Sequence, residues 1–149
     1  MINDDTVTVL NELISMSEDG KKGFSEAAEQ AKDITLKTLF VDRAQQCSQA
    51  AGELQTLVAT LGGKPADDGS VAGAAHRAWV KFRAAIGDNN LAVLEEVERG
   101  EDHAKSAYKS ALETDLPPVA RGLLEKQYQG VIANHDRVRD LRNSYRAAS

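Results

Sequence analysis

Leu91 to Leu112 reads LAVLEEVERGEDHAKSAYKSAL, and its reading decides the fold. Wound on a 3.6-residue helix, one line runs through Leu91, Leu94, Glu98, Glu101 or Asp102, Lys105, Tyr108 and Leu112, so apolar ends flank a charged middle. Burying a carboxylate is costly unless it is paired, hydrogen-bonded or bound to a metal. The segment therefore predicts an amphipathic helix with a polar layer half-way along it, and that layer is the natural place to look for function.

The surrounding composition supports a helical chain. Three prolines in 149 residues, with few β-branched residues against much Ala, Leu, Glu, Lys and Gln, favour an all-α domain. At this length one domain, spanning 1–149, is sufficient. The formal net charge of -5 is opposite to the clustered basic footprint of a nucleic-acid binder. A single cysteine, Cys47, excludes a framework of internal disulfides and fits a reducing compartment. No apolar run reaches the roughly 20 residues that span a membrane, and MINDDTVTVLNEL lacks the build of a signal peptide. A cytoplasmic protein without nucleic-acid or membrane partners is the expectation.

Taken in order, Asn3 to Asp5 offer N-caps, and Val7, Leu10, Ile14, Phe24, Ala28 and Ala31 recur at helical spacing to about residue 32. The middle of this first helix is unusual. Ser17, Glu18 and Lys21 lie on the inward line, and Gly20 and Gly23 sit in the interior, each costing about 1 kcal/mol relative to alanine. Close approach of another group is expected there. Asp33 or Thr35 can cap a second helix whose inward residues are Leu36, Phe40, Arg43, Cys47, Ala50, Leu54, Leu57 and Leu61, ending at Gly62-Gly63 with Pro65 beyond. ADDGS then precedes a short amphipathic helix, VAGAAHRAWVKFRAAI, carrying His76 and Trp79. After the central segment, TDLPP breaks the chain and starts a last helix with Ala120, Leu124, Gln127, Val131, His135, Val138, Leu141 and Tyr145 inward.

The expected architecture is two antiparallel helical hairpins joined by residues 62–90, a connection long enough to run the length of a bundle. One long crossover is the topology of a ferritin-like four-helix bundle, here with a short helix in the crossover. Folding the second hairpin about residues 115 to 117 sets Glu98 near His135 and Glu101 near Val131; folding the first about residue 33 sets Glu18 near Cys47, with Arg43 one turn away. Glu18, Arg43, Glu98, Glu101, Lys105 and His135 are thereby candidates for one polar core layer, provided the hairpins dock at matching heights.

Each candidate has a plainer alternative. A one-residue change of phase turns Glu98, Glu101 and Lys105 towards solvent. If they are buried, Arg43 and Lys105 can neutralise the carboxylates as a structural ion-pair network, which the residue types favour over metal binding. Histidine on a core line is more often a satisfied core residue than a ligand, His103 falls on the opposite face, and Cys47 between Phe40 and Leu54 reads as a buried, inert thiol. Tyr108 and Gln127 read as core residues with polar tips.

LNELI at 10–14 and EDGKKGFSEAAE at 18–29, then GGKPADDGSVAGAAHRAW at 62–79, then ERGEDHAKSAY at 98–108 together resemble a proteobacterial family of ferritin-like four-helix-bundle proteins catalogued as a domain of unknown function. The resemblance covers nearly the whole chain and carries no established activity. The wider ferritin-like group implies a carboxylate on the first and third helices and Glu-x-x-His on the second and fourth. Glu18 stands for the first, and Glu98 or Glu101 for the third; the rest departs, because Ile132 lies three before His135 and the second helix presents Arg43 and Cys47 without any histidine. The expectation is a non-enzymatic, oligomeric bundle protein, stress-associated by analogy with other bacterial bundles of this fold, with no cofactor. The alternative is a protein holding a single metal ion through Glu18, Glu98 or Glu101 and His135, with a degenerate di-iron enzyme behind it. Self-association is expected from Gly20, Gly23 and Trp79, since small residues permit close helix approach and aromatic anchors are enriched at interfaces.

Overall fold

A computed structural model describes residues 4–67 and 90–148. These residues form four α-helices: α1 (Asp4–Gln30), α2 (Ile34–Thr60), α3 (Asn90–Leu112) and α4 (Pro118–Ala148). The short helix expected in the crossover, with His76 and Trp79, lies outside the described residues. The chain divides into two compact units, one built on α1 and α2 and the other on α3 and α4. Among the described residues no helix is long and apolar enough to cross a membrane.

In the first unit, Asp4 and Asp5 stand in the opening turn of α1, where the positive end of the helix dipole favours carboxylates. The α1–α2 turn is short because Asp33, of the two candidate caps, does the capping: its carboxylate accepts the Thr35 and Leu36 amides at 2.9 and 3.2 Å. At the far end α2 closes in a Schellman arrangement. The Gly62 amide donates to Ala59 O and the Gly63 amide to Val58 O, both at 3.0 Å, with Gly62 left-handed at φ 84°. Gly63 is required for a different reason, since a Cβ there would lie 2.8 Å from the Val7 side chain and 3.1 Å from that of Val58.

Asn11 then straps the outgoing chain to α1. Its amide donates to Lys64 O at 3.1 Å and its carbonyl oxygen accepts the Ala66 amide at 2.8 Å, while Gln55 donates to Ala66 O at 3.1 Å. One side-chain amide thus satisfies two backbone groups as a strand neighbour would. In the second unit, Pro118 opens α4, where a missing N–H costs nothing. Arg121 reaches back across the turn, donating to Leu112 O and Thr114 O at 2.9 Å each, and so caps carbonyls that the end of α3 leaves open.

The buried faces differ from the expected ones by a fraction of a turn. On α3 the buried residues are Val93, Leu94, Val97, Glu101, Tyr108 and Ala111. The line passes through the two valines, so Glu101 stays inside while Glu98 and Lys105 move to its flanks. Apolar area decides the phase, because swapping a valine for a charged side chain in the interior loses its transfer energy and adds a desolvation cost. On α2, Leu39, Ala51 and Val58 join Leu36, Phe40, Arg43, Leu54 and Leu57 inside, and Cys47, Ala50 and Leu61 are half-buried. Cys47 is therefore not the fully buried thiol expected.

The two glycines of α1 also part company. A Cβ on Gly20 would meet Cys47 Sγ at 2.9 Å, whereas one on Gly23 would meet nothing within 4 Å. Gly20 thus serves the packing of its own hairpin. Gly23→Ala should raise unfolding stability by about 0.5–1 kcal/mol, the helix-propensity gain. Gly20→Ala should gain less or lose, and recover the full increment in a Cys47→Ala background. Chemical denaturation of the four variants checks this, and equal gains in both backgrounds would show that the thiol simply turns aside.

Candidate functional site

The charged middle of α3 is answered from α4. Glu98 Oε1 pairs with Arg142 Nη1 across 44 residues of sequence, and both side chains are largely covered, 15% and 20% exposed. Arg142 also donates to Asn143 at 3.0 Å, and its buried Nε makes no hydrogen bond among the described residues. One turn on, His135 Nε2 lies 2.6 Å from Asp102 Oδ1 and its Nδ1 lies 3.3 Å from Asp136 Oδ1. Next in the ladder, the Tyr108 hydroxyl donates to Gln127 Oε1 at 2.7 Å; Tyr108 is buried with its polar tip satisfied, as its position on α3 implied.

This ladder corrects the expected register. Glu98 faces Arg142, not His135, and the partner of His135 is Asp102, the alternative to Glu101 on the inward line. The hairpin turns slightly later than a pivot at 115–117 would place it, because Leu116 is buried in the turn and α4 begins only at Pro118. Arg142 was legible in principle: it extends the line of His135 and Val138 by one more turn. Glu101 is 2% exposed and Lys105 half-buried.

The other two candidates stand on the first unit. Arg43 is buried, 6% exposed, with its guanidinium 5.2 Å from the centre of the Phe24 ring and Nη1 donating to Gln46 Oε1 at 2.9 Å. Phe24 in turn stacks on Phe40 with centroids 6.1 Å apart. A planar cation over an aromatic face is a stable way to bury an arginine, since the ring partly replaces the water lost. Glu18, which a pivot at 33 brings towards Arg43, instead pairs with Lys21 on its own helix at 3.8 Å. Within either hairpin, no three described His, Cys, Asp or Glu residues are grouped to hold an ion.

A family model for a domain of unknown function, DUF2383, matches residues 5–114. The chain belongs to the DUF2383 family. No curated protein matches it. Among solved structures it is similar to a two-domain protein from Anabaena variabilis that contains DJ-1/ThiJ/PfpI-like and ferritin-like domains, with a TM-score of 0.77 at 14% identity. The match covers 98% of this chain and 38% of that one. The fold of this DUF2383 member is therefore all-α and ferritin-like.

Ferritin-like architecture raises the question of a two-metal centre, and the donor set answers it poorly. Such a centre takes carboxylates from all four helices and a histidine from two of them. Here α2 has no histidine, its buried polar residue is the cation Arg43, and α4 has Ile132 where Glu-x-x-His would need a carboxylate. His135 is engaged by two aspartates and Glu98 by an arginine. These residues do not fit the group.

The α3–α4 ladder makes a quantitative prediction. In a double-mutant cycle, Glu98→Gln and Arg142→Leu should show a coupling of about 1–2 kcal/mol, between the values for exposed and fully buried pairs. Glu98→Gln with His135→Ala should show little coupling. Denaturant unfolding measures both, and the reverse ranking would mean that the register is wrong.

Proposed function

We propose that this DUF2383 protein is a non-enzymatic, self-associating helical-bundle protein whose charged interior groups hold its helices in register and perform no metal or redox chemistry. The observation that carries this reading is the Glu98–Arg142 pair. A ligand carboxylate must be free to meet a cation, and here a permanently protonated guanidinium already neutralises it. Arg43 points the same way, because a fixed positive charge on α2 opposes a second cation where that helix would otherwise supply a carboxylate and a histidine.

The same architecture occurs elsewhere as one domain of a larger protein. In the Anabaena protein a ferritin-like domain is joined to a DJ-1/ThiJ/PfpI-like domain, so the architecture occurs as a module beside a different one.

The test is aerobic addition of ferrous iron at two equivalents per chain to protein purified without chelators, with elemental analysis beforehand. Absorbance from ferric species should rise no faster than in the protein-free control, and purified protein should carry well under one transition-metal ion per chain. A fast phase abolished by Glu101→Gln or His135→Ala would overturn the proposal and make this a working iron protein. Static light scattering should give a mass above that of a single chain.

A further inference from the structure

We infer that a solvent-exposed face of the α1–α2 hairpin is a two-fold homodimer interface, centred on a groove between the two helices. This rests on the self-association reading above and locates it. The residue pair first suspected does not serve: Gly20 is occupied by Cys47 of its own hairpin. A different surface stands out.

Of the three large hydrophobic side chains exposed among the described residues, two belong to α2: Ile34 at 73% and Val41 at 41% exposure. Seven residues apart, they lie two turns apart on one helix face. Val41 also lines a groove of about 370 Å³ whose other walls are Ser25, Ala28 and Glu29 on α1 and Lys37, Ala44 and Gln45 on α2. The floor is small and apolar, as close helix packing needs. Glu29 and Lys37 stand on opposite lips, both exposed, and neither makes an ion pair among the described residues.

That charge arrangement selects the occupant. A partner of one charge sign would meet one favourable and one repulsive lip. A second copy, related by a two-fold axis running along the hairpin, sets Glu29 of each chain against Lys37 of the other and Val41 of each into the other's groove. An isologous interface must be its own complement, and this face is. Each helix has 27 residues, so the hairpin face that holds the groove is about 40 Å long and about 20 Å across, room enough for the roughly 800 Å² per partner of a standard stable interface.

The reciprocal geometry gives a discriminating experiment on the full chain. Analytical ultracentrifugation should show a dimer for the unaltered protein. Glu29→Lys alone and Lys37→Glu alone should each weaken dimerisation at least tenfold, because each reversal creates two like-charge contacts. Val41→Arg should do the same from the groove floor. Mixing Glu29→Lys protein with Lys37→Glu protein should restore a dimer containing one copy of each, since every contact across the axis is again a salt bridge. Circular dichroism should show unchanged helix content, the altered side chains being exposed.

An unaltered protein that is a monomer at high concentration overturns this inference and the self-association reading together. A dimer indifferent to all three substitutions leaves self-association standing and places the interface elsewhere. Single reversals that weaken the dimer without rescue in the mixture would show that the charges act within one chain, which also overturns it.

Discussion

Glu98 and Arg142 meet across the α3–α4 hairpin, and much of the second unit follows from that contact. A carboxylate that leaves water loses hydration worth several kcal/mol, so a helix with acids in its middle folds only where cations or donors await them. Once Glu98 is set against Arg142, the 3.6-residue repeat brings Asp102 to His135 and Tyr108 to Gln127. Arg121 then caps the carbonyls at the turn. Four polar contacts at successive levels specify one register for two long helices whose apolar content is modest: α4 buries only Ala120, Leu124 and Val138 among its described residues.

The first unit solves the same problem with different chemistry. Its buried charge is a cation, and an aromatic face takes the place of part of its hydration: Phe24 over Arg43, braced by Phe40. Gly20 gives room to Cys47 one turn along from Arg43, and the Asn11 strap directs the chain away from the end of α2. Both ends of α2 are sealed by an identifiable group, Asp33 at the start and Gly62 at the close. A helix start or stop that leaves four backbone groups open is expensive unless something meets them.

For function, the ferritin-like fold does not by itself carry a chemistry. Within each hairpin the charged side chains pair with one another: Glu18 with Lys21, Glu98 with Arg142, His135 with aspartates. A fold constrains where a site can be built, and the side chains decide whether it is.

By itself the sequence determined what depends on neighbours close along the chain. The four helices, a first break within two residues of Gln30, a cap at Asp33 or Thr35, the Gly62-Gly63 stop and the proline start of α4 all follow from spacing and local hydrogen-bonding needs. So did the burial of Arg43 and Glu101 and the polar tip of Tyr108, because apolar periodicity marks a face within about a residue. Only the tertiary structure decided which charge met which. Glu98 and Asp102 lie one turn apart along α3, and His135 and Arg142 two turns apart along α4. The choice depends on where α4 begins after Leu116 and on Val93 and Val97 claiming the α3 interior. It was tertiary packing, too, that gave Gly20 to Cys47 and left Gly23 open. Pairing across a hairpin is a long-range condition, set by how apolar surface is shared between helices, and no local pattern encodes it.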